Sequence, residues 1–205
     1  MDQMRSAPAR LPSADLSPRR AAILDAALPV FGRYGYRKTS VDDLATAAGL
    51  SKQGLYLHFT GKEQIFLEAL RKYLDDGLAL ARNALGQKGT PLAARLLAAL
   101  DAWFGRHLTL FAPASFDVIE AGNLLSGAAI EQYKTAFQDL LAQELATAPE
   151  FRKSRNICTP AEVAQALFVC GLSWKEAHTT RSVFVTRMRL CIRACCQLVE
   201  PREKI

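Results

Sequence analysis

At 205 residues, 50% hydrophobic and 22% charged, the chain is long and apolar enough to bury one or two small cores, which excludes a disordered protein. Its net charge of +6 is uneven: residues 1–62 hold nine Lys/Arg against five Asp/Glu, and residues 63–205 hold 17 against 15, so basic character gathers at the N-terminal side, where a nucleic-acid partner is attracted. Five cysteines, an odd number without C-x2-C spacing, argue against a secreted disulfide framework or a zinc ribbon. With no signal-type apolar stretch near Met1, and the apolar run Ala164 to Trp174 too short to cross a bilayer, a cytoplasmic protein without a membrane partner is expected.

Residues 1–16 carry Pro8, Pro12, Arg5 and Arg10 among small residues with no apolar period and read as a flexible tail. A first helix is expected over Pro18–Arg33, with Pro18 suited to the first helical position and Ile23, Ala27, Val30, Phe31 and Tyr34 on one face. Pro29 removes the hydrogen bond to the Asp25 carbonyl and predicts a kink; Gly35 ends the helix.

The stretch Ser40 to Phe59, SVDDLATAAGLSKQGLYLHF, carries the strongest signal. Ser40 can cap a second helix through the N–H near Asp43, with Asp42 and Asp43 in its first turn, where the macrodipole favours carboxylates. Leu44, Ala45 and Ala48 share its inner face. Gly49 supplies a positive φ for the turn. Ser51 then caps a short third helix from Lys52 to about His58, with Leu55 and Phe59 inward and Lys52, Gln53, Gly54, Tyr56 and His58 outward. The pattern A-x3-G-x5-L is that of a helix-turn-helix. The outward face suits DNA: Lys52 for phosphate or guanine, Gln53 for a base edge, Tyr56 and His58 for phosphate oxygens, and Gly54 for close approach of the backbone.

Thr60 and Glu63 predict a capping box for a long fourth helix reaching about Leu85, before Gly86 and Gly89. Five further helices are expected over Pro91–Phe111, Ala114–Leu125, Ala128–Ala146, Pro160–Ala177 and Ser182–Val199. The segment 147–159 between them, with Pro149, Arg152, Lys153 and Arg155, reads as a surface loop. No strand-length alternation competes, so the fold class is all-α. The middle helices offer an apolar chamber with a few polar groups, the composition of a small-molecule site: Trp103, His107, Phe111, Phe116, Glu120, Asn123, Tyr133 and Phe137, with Trp174 from a later helix. The last two helices show wide apolar faces, Val163, Leu167, Phe168 and Gly171 on one and Phe184, Met188, Cys191, Cys195 and Leu198 on the other.

The run AAILDAALPVFGRYGYRKTSVDDLATAAGLSKQGLYLHFTGKEQIF resembles the TetR family of bacterial transcriptional regulators over roughly the first 60 to 70 residues. The resemblance implies an N-terminal DNA-binding domain (residues 17–62) joined by the long helix to an effector-binding and dimerisation domain (63–205). It implies Thr39 and Ser40 as contacts to the DNA backbone, Lys52 to Tyr56 as the recognition helix, and His58 and Lys62 as phosphate contacts. Gly54 departs from the Ser, Thr or Ala common in the family at that place. It further implies a symmetric four-helix interface from the last two helices, in a homodimer that binds a double-stranded DNA operator and is released by an effector, here expected to be apolar or aromatic. Repression of transcription is the expected output.

Two other functional classes have sequence features to compare. Cys191 and Cys195 lie one turn apart, with Cys196 and Arg193 beside them, the arrangement a thiol-based redox sensor would use. Catalysis is not expected: His58, His107 and His178 fall in no metal-binding or triad pattern, and no nucleophile elbow or phosphate-binding glycine loop occurs. Neither a metal nor a cofactor is expected.

Overall fold

The computed structural model describes residues 17–110, 116–153, 158–176 and 179–196; the N-terminal stretch 1–16 and Leu198 lie outside them. All regular structure among the described residues is helical: α1 (Pro18–Tyr34), α2 (Val41–Ala47), α3 (Lys52–Tyr56), α4 (Lys62–Leu85), α5 (Leu92–Leu100), a π-helical turn (Asp101–Gly105), α6 (Arg106–Leu110), α7 (Phe116–Thr147), α8 (Pro149–Lys153), α9 (Pro160–Glu176) and α10 (Arg181–Cys196).

The helices enclose two cores. In the first, Ile23, Leu24, Ala27 and Phe31 of α1 pack on Leu44 and Ala45 of α2, on Leu55 and Phe59, and on Ile65, Phe66 and Ala69 of α4. Ser17 caps α1, accepting from Arg20 N, with Pro18 in the first turn. Pro29 lies inside α1 without ending it, because both Pro29 and Asp25 are exposed and water can serve the carbonyl that the proline leaves without a donor.

The second core joins the C-terminal half of α4 to α5, the π turn, α7, α9 and α10 through Leu78, Ala81, Leu96, Leu100, Phe104, Phe137, Leu141, Leu167, Phe168, Phe184 and Met188. Helix α4 spans 24 residues, about 36 Å at 1.5 Å per residue, and contributes to both cores. So does α7, whose first turns send Val118 and Ala121 into the first core while Phe137, Leu141 and Leu145 fill the second. The packing of the first core therefore extends past residue 62, into α4 and α7.

Several expected boundaries shift for local reasons. Helix α3 ends at Tyr56, two residues before His58. Gly61, not Thr60, is the N-cap of α4, and the Thr60 hydroxyl and N–H both donate to Gln64 Oε1, at 2.9 and 2.6 Å, in place of Glu63. The two helices expected on either side of Ser126 follow one another without a loop within α7, and they meet at a break there, where Ser126 leaves helical geometry (φ −151°, ψ 27°). The run after Pro91 contains a π turn in which Arg106 N–H donates to the Asp101 carbonyl, five residues back. Part of the expected loop 147–159 is α8, whose Phe151 is buried.

Candidate nucleic-acid interface and effector cavity

The α2–turn–α3 unit follows its sequence closely. Asp43 N–H donates to Ser40 Oγ (3.1 Å) and Ser40 N–H to Asp43 Oδ2 (2.8 Å), a closed capping box. The Ser40 hydroxyl and then its N–H hold the Asp43 carboxyl below the usual range. Gly49 has φ +64°, and Leu50 N–H donates to Ala45 O at 2.9 Å, fastening the turn. Ser51 Oγ accepts from Gly54 N–H (3.0 Å). Leu55 and Phe59 are buried beneath.

Above them, Lys52, Gln53 and Tyr56 are exposed and His58 is half-buried. Lys52 Nζ is 2.9 Å from Asp42 Oδ2, and this hydrogen bond and charge raise the lysine's pKa. Leu57 is 82% exposed, an apolar side chain beside the reading helix that the sequence pattern did not single out. Arg20 holds the end of this helix in place, donating to the His58 carbonyl, forming an ion pair with Glu68 (2.6 Å) and stacking on Phe59 at 4.3 Å.

Three residues expected at the DNA have other partners in this structure. The Thr39 side chain is 1% exposed and its hydroxyl donates to Gly35 O at 2.6 Å, so it holds the α1–α2 turn and is not presented to a phosphate. Lys62 Nζ donates to the carbonyls of Tyr36 (3.0 Å) and Arg37 (3.4 Å) and lies 4.6 Å from the Tyr36 ring centre; it ties α4 to the same turn. At Gly54 a Cβ would sit 3.3 Å from Ser51 Oγ, so the missing side chain relieves the cap rather than opening the outward face. Ser40 is exposed, with its hydroxyl engaged in the capping box.

A cavity of about 210 Å³ lies between α4, the π turn, α6, α7 and α9. Trp103, His107 and Asn123 line it, with Leu70, Tyr73, Leu74, Val118, Ile130, Lys134, Phe168, Leu172 and Lys175. Two glycines admit the aromatic walls: a Cβ at Gly77 would approach Trp103 to 3.1 Å, and one at Gly171 would approach Phe104 to 2.4 Å. The remaining expected ligand residues are placed elsewhere. Phe137 is fully buried, its ring stacked on the Trp103 ring with centroids 4.7 Å apart. Glu120 is exposed and pairs with Arg37. Tyr133 turns to an adjoining groove between α4 and α7 and donates to Asp75 Oδ1 at 2.8 Å; burial, then this bond, raise its pKa. Trp174 is half-buried under Arg187, 4.3 Å from its ring. Phe111 and the Phe116 side chain lie outside the described residues.

The apolar faces of α9 and α10 are mostly used within the chain. Val163, Leu167, Phe168, Gly171, Phe184 and Met188 are buried in the second core, so they cannot form the outer face of an interface as expected. Cys191 and Cys195 are half-buried. What these helices leave outside is Val169 (55% exposed) and Leu190 (60%), with Val183 and Ala194.

Three of the thiols are shifted away from the character of a sensor. Desolvation, followed by a hydrogen bond with Cys191, pushes Cys170 up to about 11. Desolvation pushes Cys196 up to about 12 and also raises Cys195. A peroxide-reactive cysteine needs the opposite shift. No group of three or more His, Cys, Asp or Glu among the described residues could hold a metal, and no described helix is long and apolar enough to cross a membrane.

Residues 23–69 match the family described as bacterial regulatory proteins, tetR family. The chain is 30% identical over 167 residues to the HTH-type transcriptional activator FasR of Mycolicibacterium smegmatis, spanning 82% of this chain and 66% of that one. It is 47% identical over 60 residues to the HTH-type transcriptional repressor KstR2 of Rhodococcus jostii, 29% of either chain. The chain thus spans less than two thirds of these relatives' length. In fold it is similar to a TetR-like transcriptional regulator from Rhodococcus sp., with TM-score 0.59 and 21% identity, over 90% of this chain and 98% of that one. A second structural match is the TetR family transcriptional regulator PfmR of Thermus thermophilus, with TM-score 0.54 and 22% identity, over 83% and 97%.

Proposed function

Since the chain belongs to the tetR family of bacterial regulatory proteins, we propose that it acts as a homodimeric transcriptional repressor whose two α3 helices read successive major grooves of a near-palindromic operator, and which a small molecule in the cavity releases. The observation that carries this reading is the capped α2–turn–α3 unit, with Lys52, Gln53, Tyr56 and Leu57 outward over a buried Leu55 and Phe59. In this reading Lys52 exchanges Asp42 for phosphate or a guanine edge, Gln53 bonds a base, and Leu57 meets a thymine methyl or a deoxyribose.

The dimer is proposed to form through Val169 and Leu190 with their neighbours, since this apolar surface on α9 and α10 stays outside the subunit's own core. Pairing places two short reading helices about one helical turn of DNA apart. Release is proposed to run through the start of α7. That segment gives Val118, Gly122 and Asn123 to the cavity wall, Val118 and Ala121 to the core of the reading head, and Glu120 to Arg37. A ligand that displaces this wall acts directly on the head, to the extent that it binds the two conformers differently.

The test is to recover genomic fragments bound by the protein and footprint one of them. Two protected half-sites about 10 bp apart, or a multiple, support the reading; the same affinity for every duplex, with no footprint, refutes it.

A further inference from the structure

We infer that the cavity takes a small apolar carboxylate, one ring or a short acyl chain bearing a single negative charge, seated against Lys134, Lys175 and His107. The inference rests on the cavity being the effector site proposed above, and names its ligand class.

Charge is the first argument. Among the described residues lining the cavity there is no Asp or Glu, while Lys134, Lys175 and His107 arrive from three different helices, α7, α9 and α6. Arg106 stacks on the Tyr73 ring at 4.1 Å, adding a further positive charge behind the wall. Tyr73 contributes no negative charge, because burial raises its phenol pKa. A cationic ligand would meet like charges in an apolar setting, and a neutral one would leave this polarity unused.

Shape and exchangeability follow. Apart from Asn123 and Tyr73, the remaining walls are apolar, with Trp103, Phe104, Phe168, Leu172 and Leu70 among them. About 210 Å³ exceeds the roughly 150 Å³ cavity that accepts benzene and falls below the roughly 300 Å³ at which drug-sized sites begin. One ring or a short chain with a carboxylate fits; a long acyl chain does not. The present partner of Lys134 is Glu131 Oε1 at 2.6 Å, a carboxylate three residues earlier on the same helix and 69% exposed. Such exposed pairs are weak, so the ammonium can exchange Glu131 for a ligand carboxylate at little cost.

The experiment titrates the full-length protein with two matched pairs, phenylacetate with phenylacetamide and octanoate with octanamide, following tryptophan emission and thermal midpoint. At least one acid is expected to bind ten-fold or more tightly than its amide and to release the bound promoter fragment. The Lys134→Met/Lys175→Met double variant, with native helicity, is expected to reduce acid binding to the amide's level and leave the amide's unchanged. Equal affinity within both pairs, or an acid preference that survives the double variant, overturns the ligand class while keeping the cavity as a binding site. Saturation by none of the four overturns both the ligand class and the cavity as effector site. Binding of the promoter fragment by unliganded protein reports separately on the regulator reading.

Discussion

Arg37, in the turn after α1, and Glu120, in the first turns of α7, form an ion pair of 3.0 Å that joins the helix-turn-helix unit to a wall of the proposed effector cavity. Both side chains are largely exposed, at 71% and 55%, so the pair contributes about 1 kcal/mol or less to folding. Its proposed importance is transmission. Arg37→Ala and Glu120→Ala are expected to leave the thermal midpoint within about 2 °C and to raise the effector concentration for half-release of operator by about 2–5-fold, with the double variant no worse than either single one. Release curves identical to wild type would assign the pair to the solvated surface alone.

The division of burial on α9 and α10 separates dimerisation from folding. Leu190→Glu and Val169→Glu, at exposed sites, are expected to give folded monomers with weak operator binding, seen as halved mass in sedimentation with full helical dichroism. Phe168→Glu and Met188→Glu place a charge in the subunit's own core, and at several kcal/mol each are expected to unfold the protein rather than dissociate it. A dimeric Leu190→Glu variant would move the interface elsewhere.

Operator recognition should divide between residues. Gln53→Ala is expected to relax base preference by roughly 1–3 kcal/mol at one position, whereas Lys52→Ala lowers affinity for operator and random DNA alike and reduces the salt slope by about one. Lys62→Ala is expected to lower thermal stability as well as affinity, because its ammonium holds the Tyr36 and Arg37 carbonyls. A Lys62→Ala protein of unchanged stability would return that lysine to the purely DNA-facing role its sequence position suggests.

Arg95 is buried, pairs with Glu144 and donates to the Leu85 carbonyl at the end of α4. Glu144→Ala leaves the cation in the second core with only Glu150, 3.9 Å away, and is expected to cost about 3–5 kcal/mol, while Arg95→Met with Glu144→Leu, which removes both charges, should restore much of it. Urea unfolding of the three proteins measures this directly.

The raised thiols give a pH dependence with a definite sign. Cys170 at about 11 and Cys196 at about 12 stand above the ordinary 9.0. Their burial as neutral thiols favours the fold fully below pH 9, and that contribution is lost as pH climbs from about 9 toward 12. At pH 7.5 exposed Cys158 should alkylate rapidly while Cys170 and Cys196 are slow, as mass spectrometry of peptides would report. Rapid modification of Cys196 at neutral pH would revive a redox role.

The helix-turn-helix was legible because its determinants are local. Ser40, Gly49 and Ser51 act within a few residues of themselves, and each does in the structure what its spacing implies. Determinants that depend on distant partners were hidden. Nothing near Thr39 or Lys62 reveals that the one faces Gly35 and the other reaches back to Tyr36. The apolar period of α9 and α10 located their buried faces, but periodicity cannot tell burial in one's own core from burial against a second copy. In the chamber, Trp103, His107 and Asn123 were found by clustering of residue type, while Tyr133, Phe137 and Trp174 have the same chemistry and point elsewhere. Lys134 and Lys175 carry no local signal of a cavity, because lysines on helices are ordinarily solvated.

Val118 and Ala121 belong to a helix that follows α4 by some thirty residues, yet they are part of the head's apolar interior. The DNA-reading unit is consequently discontinuous along the chain, and a graft that transplanted residues 17–69 alone onto another sensor would carry a gap where those two side chains sit. Exchange of specificities between such proteins has to move the beginning of α7 together with the N-terminal segment, or refit the recipient's corresponding helix to fill it.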